Sequence, residues 1–412
     1  MPFRSALLFL ISAAVAAAQG SAPPTRIFDQ VDEMLRSLSQ ITGWRVHHTV
    51  PAKMIGNDEF RTILKSHVDK SDPKKVRAEE LTLKMFGLVP ADFSLVKETV
   101  DLFSEQVAAY YDSDKKRLFV LDTVSTDLDR RVALVHELAH ALADQQHSLL
   151  KFMHVDPDSD DASTARQAVM EGQATWLTWA YIASREGGKP EVPEAMLDSL
   201  AKAAGGSSQM PVYSQAPLYF RESLVFPYTE GLRFQDAIYR KLGQRAFEQV
   251  FERAPVSTQN ILHPQTYLDK TAPADVKVPD LKVAIGGRAK EFRQLTDGDL
   301  GEFDISVMLR QYLDEKVGAD AAQHLRGAAF RLYENKKDKY PVLDYVSEWD
   351  SPESAGRYFD LYKKVLKGKW KTMEVVDSSA DSYTGTFTAT ADSGNFAVHL
   401  HGSSVQAMEG LR

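Results

Sequence analysis

Two histidines four residues apart enclose a glutamate in His136-Glu-Leu-Ala-His140. On a helix this spacing stacks both imidazoles on one face, so that they can share one metal ion. Glu137 projects beside them, within reach of a water that zinc acidifies towards neutrality, which is the station of a general base. The pattern arises by chance on the order of once in a hundred chains of this length. Catalytic zinc takes a third protein ligand and keeps one position open for water. Glu171, in Met170-Glu-Gly-Gln-Ala-Thr175, is the candidate. It lies in an apolar helical stretch where an unpaired carboxylate is costly to bury, and a metal partner removes that cost. Gly172 beside it lets another helix or backbone come close. Asp144, one turn beyond His140, is placed to accept that histidine's free ring N–H, and Asp161 is an alternative from the preceding loop. A hydrolytic site also needs a donor to a tetrahedral oxyanion. By chain order His263 is the first candidate, with Tyr228 and Tyr267 behind it.

These residues need elements to hold them. Gln106 to Tyr111 and Arg117 to Leu121 read as two strands joined by the polar turn Asp112 to Lys115. Directly afterwards Asp127 can cap a helix whose apolar stripe is Val132, Val135, Leu138, Ala139 and Leu142, and this helix carries the motif. Ser163 to Arg185 returns to helical periodicity and stops at Gly187-Gly188. The acidic stretch 156–161 between the two helices lacks the glycine and distal glutamate of a calcium loop and reads as a solvated, helix-capping segment. Upstream, the apolar spacing from Ile27 to Ile41 predicts a helix stopped by Gly43, and Asp72-Pro73 opens another that Gly87 closes. Phe93 to Val107 marks a third. Downstream, 190–215 reads as a loop, 217–251 as helical and 255–267 as irregular. Helices are expected over 303–316 and 319–334, and the tail 383–411 alternates as strands around a turn at 391–395.

Composition narrows the function classes. The chain has 412 residues, 43% hydrophobic and 26% charged, which excludes a wholly disordered protein. Its net charge of -8 provides no positive field for nucleic acid or anionic lipid. Without cysteine, any metal must be held by histidine and carboxylate. Residues 1–18 combine Arg4, an apolar run and an Ala16-Ala-Ala18 end. They read as a signal peptide cleaved after Ala18, placing the mature protein in a secreted or periplasmic compartment with no stable membrane anchor. The expected organisation is that signal segment, a domain over 25–270 and a C-terminal α/β region over 285–412.

With His136-Glu-x-x-His140 on one helix and Glu171 on the next, the chain resembles the gluzincin branch of zinc metallopeptidases. Val-Ala-Ala-Tyr-Tyr-Asp, Glu-Gly-Gln-Ala-Thr, Phe-Pro-Tyr and Ile-Leu-His-Pro-Gln-Thr-Tyr also resemble a group of poorly characterised bacterial exported proteins, over roughly residues 100 to 310 with a weaker echo to the end. The resemblance implies that the strand near Arg117 to Leu121 forms the cleft edge and holds extended substrate by main-chain bonds. It departs in two places. Many gluzincins carry an aspartate four residues beyond the glutamate ligand to orient a zinc histidine, where this chain has Thr175, so the surroundings of the metal must be arranged differently. The Gly-x-Met-Glu-Asn signature of one aminopeptidase family is missing. The expected fold is α+β: a zincin-like catalytic domain with a small sheet on the motif helix, a mostly helical second lobe, and a C-terminal α/β segment. The expected function is hydrolysis of a protein or peptide substrate by Zn2+-activated water with Glu137 as base. A zinc amidase acting on cell-wall peptide and a catalytically inactive binding protein of zincin fold are the alternatives.

Overall fold

The motif helix begins at a threonine. Thr126 Oγ1 accepts the backbone N–H of Asp129 at 3.0 Å, so the cap falls one residue before the expected Asp127. In the computed structural model, which describes residues 12–13, 28–122, 126–155, 159–197, 210–388 and 393–412, this helix runs over Asp127–His147. Every residue from Ala133 to Asp144 is buried, so the helix is enclosed on all sides rather than amphipathic.

The chain before it follows its local signals. Helix α1 (Val31–Thr42) ends at Gly43 with φ of 75°, and α2 spans Asn57–Asp69. Helix α3 (Pro73–Phe86) is capped by Asp72, which accepts from Lys74 N–H at 2.9 Å, and ends at Gly87 with φ of 72°. Helix α4 covers Leu95–Gln106. The motif helix is α5, followed by the short α6 (Leu149–Met153).

A four-stranded sheet supports α5. Strand β3 (Val107–Asp112) pairs antiparallel with β4 (Arg117–Leu121), as the hairpin reading expects. On its other side β4 pairs parallel with β2 (Ala52–Ile55), while the two-residue β1 (Ser12–Ala13) pairs with β3. The strand expected at the cleft edge, β4, therefore lies inside the sheet with both edges occupied. Apart from β1, the residues read as a signal peptide lie outside those described.

Helix α7 (Asp160–Arg185) starts three residues earlier than expected because Ser159 Oγ accepts from Ala162 N–H at 3.1 Å. The rest of the acidic stretch, 156–158, and the loop residues 198–209 lie outside the described residues. Helix α8 (Leu218–Leu242) contains Pro227, α9 is Arg245–Glu252, and the segment read as irregular holds α10 (Thr258–Leu262). Helices α7 and α8 cross backbone to backbone: a Cβ on Gly172 would lie 2.1 Å from the carbonyl carbon of Gly231, and one on Gly231 would lie 2.1 Å from Ala168 O. Only glycine permits that approach.

The C-terminal part is an antiparallel seven-stranded sheet, ordered β5-β6-β7-β11-β10-β9-β8. Its strands are β5 (Phe292–Leu300), β6 (Leu325–Asn335), β7 (Pro341–Trp349), β8 (Thr372–Ser378), β9 (Ser382–Thr388), β10 (Ser393–His401) and β11 (Ser404–Leu411). The helix expected over 319–334 is corrected here: most of it is β6. Its buried Ala328, Phe330 and Leu332 alternate with half-buried Ala329 and Arg331, a period of two that fits a strand. Helices α11 (Glu302–Tyr312) and α12 (Pro352–Lys369) complete this part. Buried apolar residues from Val31 to Ala407 form one continuous cluster, and Phe86 of α3 meets Phe330 and Tyr345 edge-on at 5.4 and 5.5 Å. The architecture is mixed α and β. Among the described residues no helix is long and apolar enough to cross a membrane.

Candidate metal centre

Helix α5 presents His136 and His140 to the same point. Their Nε2 atoms lie 3.1 Å apart, and Glu171 Oε2, from the facing α7, lies 3.1 Å from His136 Nε2 and 3.3 Å from His140 Nε2. Three donor atoms thus form a nearly equilateral triangle. Zinc bonded at about 2.0–2.1 Å to three corners of a tetrahedron needs donors about 3.3 Å apart, close to what these residues provide. Without a metal the same three atoms can hydrogen-bond, an imidazole N–H donating to the other ring or to Glu171. By donor type and spacing, His136, His140 and Glu171 fit a zinc ion.

Glu137 stands beside the triangle, one of its carboxylate oxygens and one ring nitrogen from each of His136 and His140 lying within 4.8 Å of one another. Its Oε2 accepts the backbone N–H of Tyr111 in β3 at 2.6 Å, while its buried Oε1 has no hydrogen-bond partner. One oxygen is fixed and the other is left to act. Neither histidine is more than 7% exposed and neither glutamate more than 2%, so the charges lie in a medium that magnifies their interactions. Burial pushes the Glu137 carboxyl up to about 8, with the Glu171 charge adding to the rise and His140 and the Tyr111 N–H opposing it. At Glu171 the effect of burial is outweighed by the His140 charge and by hydrogen bonds from both histidines, which hold it down near 2. Burial keeps His136 below its ordinary range, whereas Glu171, Glu137 and Asp144 carry His140 above it in spite of burial. A cation at the triangle would favour the ionised carboxylates and neutral imidazoles.

Tyr228 enters from α8. Its ring centre lies 5.9 Å from that of His136, and its hydroxyl hydrogen-bonds Glu171. Burial, then the charges of Glu171 and Glu137, hold its phenol well above the ordinary value, so it remains a donor. The glycine crossing explains its position: Gly231 is one turn after Tyr228 and meets Gly172, the residue after Glu171.

Other expected partners lie elsewhere. His263 pairs with Glu302 of α11, its Nε2 2.9 and 3.1 Å from the two carboxylate oxygens. It bonds to none of His136, Glu137, His140 and Glu171, because the short turn that carries it faces Glu302 in the C-terminal part. Tyr267 donates to the carbonyls of Arg253 and Gln249. Asp161 accepts from the N–H and hydroxyl of Thr258, at 2.8 and 2.6 Å, in a separate buried cluster. Thr175 donates to the Glu171 carbonyl at 2.7 Å, within its own helix, and is not a substitute for an orienting carboxylate.

Asp144 is also differently employed. Its Oδ2 accepts from Tyr111 hydroxyl at 2.8 Å and Lys116 Nζ at 2.6 Å, and its Oδ1 accepts from Leu149 N–H at 2.9 Å. It ties the β3–β4 hairpin and the turn after α5 over the site instead of bonding to His140. Lys116 and Ser148, at these two turns, each have φ of 51°, a left-handed conformation unusual for residues other than glycine. Tyr111, Ser113, Leu149 and Met170 leave a space of only about 10 Å³ beside Glu137, His140 and Glu171. The roles of the Tyr111 N–H and of the Asp144 latch had no sequence signal, since one is a backbone group and the other depends on a folded hairpin.

Residues 290–412 match a family described only as a domain of unknown function (DUF8575), a match that does not include His136, His140 or Glu171. No curated protein and no solved structure matches the chain.

Proposed function

We propose that the protein is a zinc-dependent hydrolase of peptide bonds with a zincin-like catalytic centre, acting outside the cytoplasm as its N-terminal segment suggests. The supporting observation is the triangle of His136, His140 and Glu171 with the unpartnered Glu137 Oε1 beside it. His136, His140 and Glu171 would hold the ion. Bound zinc would supply Lewis acidity, making a water more acidic and polarising a carbonyl. Glu137, with Oε2 anchored on the Tyr111 N–H, takes the proton of the attacking water at Oε1 and returns it to the leaving amine. Tyr228 takes the donor role expected of His263, turning its hydroxyl from Glu171 to the oxyanion. The enclosing hairpin and α6 exclude bulk water.

Metal analysis and a peptide-library cleavage assay on the wild type and Glu137→Gln test this reading. Zinc in both proteins, with cleavage reduced about 10²–10⁴-fold in the variant, is the expected result. Purified protein that takes up no zinc would refute it.

A further inference from the structure

A cavity of about 1240 Å³ lies between α3, α6, the start of α7 and β5. It exceeds the upper end, about 1,000 Å³, of ordinary small-molecule pockets, and suits a stretch of polymer better. One wall is β5 over residues 293–298, whose pairing with β6 shifts register between Gln294 and Thr296. This strand is an edge of the seven-stranded sheet and pairs only with β6. Among the described residues, this run makes no backbone–backbone hydrogen bond on its outer side. An edge strand inside a cleft is a template for another extended chain.

The chemistry of the lining also favours main-chain recognition. Lys74, Lys75, Arg77, Arg293 and Lys339 are matched by five carboxylates, and Arg77 and Arg293 are already bound to Glu334 at 2.5 and 2.6 Å. No net charge selects a charged ligand. Leu150, Met153, Leu295 and Phe330 add apolar surface for side chains.

The cleft borders the metal centre. On α6, Leu149 lines the metal space while Leu150 and Met153 line the cleft. On α7, Ser163 lines the cleft and Met170, two turns on along the same face and about 10.5 Å away, lines the metal space beside Glu171. Helices α6 and α7 thus line both spaces.

We infer that β5 binds an extended, unfolded polypeptide by strand addition in this cleft, and that the bound chain is the substrate of the metal centre; the second half rests on the peptidase reading. The absence of cysteine permits a clean test. Gln294→Cys, in the cleft wall, and Val376→Cys, 77% exposed on the opposite edge strand β8, are each made in zinc-loaded Glu137→Gln protein and blocked with a bulky disulfide-linked reagent. Binding of fluorescent, reduced and carboxymethylated lactalbumin is read by anisotropy. Blocking Gln294→Cys should weaken binding at least tenfold, with recovery on adding a phosphine reductant, and blocking Val376→Cys should leave it unchanged. Equal binding by the two blocked proteins, or no binding by the unblocked ones, would overturn the inference. The same cysteines with Glu137 intact separate the two ideas. Loss of binding in a protein that hydrolyses no peptide supports strand addition and removes the peptidase reading. Hydrolysis that persists after the Gln294→Cys block overturns the role of the cleft.

Discussion

Replacing Gly231 by alanine tests whether the helix crossing positions the metal centre. The added Cβ would lie 2.1 Å from Ala168 O and 3.1 Å from Gly172 Cα. A carbon–oxygen contact needs about 3.3 Å, so α7 and α8 must part by about 1 Å, and both obstacles are backbone that cannot swing aside. Overpacking of this kind costs about 1–3 kcal/mol. In a protein of this size that corresponds to a fall in melting temperature of roughly 1–4 °C. The functional effect should be larger in proportion. The displacement separates Tyr228 from Glu171 or draws Glu171 from the histidines, and a misplacement of about 1 Å can reduce turnover on the order of 100-fold. Gly287→Ala is the control, since its Cβ would meet nothing within 4 Å and its φ is not positive. Calorimetric melting, zinc titration and peptide hydrolysis should be measured on both variants. If Gly231→Ala melts and binds zinc as Gly287→Ala does, the crossing does not set the geometry of the site.

Glu171→Ala removes the third corner of the triangle and should weaken zinc binding more than about 100-fold, beyond the usual effect of losing a group that only orients a ligand; competition with a chelator measures it. Tyr228→Phe should keep zinc and lower kcat about 10²–10³-fold with little change in KM, as expected for a lost oxyanion donor, and an unchanged kcat removes Tyr228 from the chemistry. Asp344, 1% exposed in β7, is pushed by burial from its ordinary 3.8 to about 6, against the pull of its bond from Gln406 and of Arg331. The folded carboxyl keeps its proton where the unfolded one has lost it, so stability falls as pH rises from about 4 to 6 and stays lower above, by at most about 3 kcal/mol. Asp344→Asn should therefore flatten that slope in melts across pH and gain stability at pH 7, and an unchanged slope would assign it to other groups.

The sequence carried the local half of the site. The four-residue spacing of His136 and His140, the β3–β4 hairpin and the Glu171 helix are written in periodicity and end signals; β4 has the expected bounds and the other boundaries shift by at most three residues. Chain order could not rank His263 against Tyr228, because which loop returns to the metal depends on tertiary packing. A clue was present in glycine: Gly172 follows Glu171, Gly231 follows Tyr228 by one turn, and the two meet. Asp144 shows the opposite failure, since its helical position is favourable for His140 yet donors from the hairpin and the next turn reach it. In β6 the Ala-rich apolar run fits a helix as well as a strand until its partners β5 and β7 are known. Much of the seven-stranded sheet was hidden in this way, because its order joins β7 to β11 across more than fifty residues.

The polar groups at the centre argue for chemistry over architecture. Two histidines and two glutamates occupy positions that could hold apolar side chains, and replacing a buried charged group by a well-packed apolar one is often neutral or stabilising. Buried polar groups kept for structure usually satisfy one another, as Asp161 does with Thr258 and Glu409 with Tyr362, Trp370 and Lys369. At the candidate site the match is incomplete: His136, His140 and Glu171 bond to one another, but the buried Glu137 Oε1 has no hydrogen-bond partner. That one unmet acceptor, beside three donor atoms spaced as a metal ion would need them, is the arrangement the proposed hydrolytic site requires.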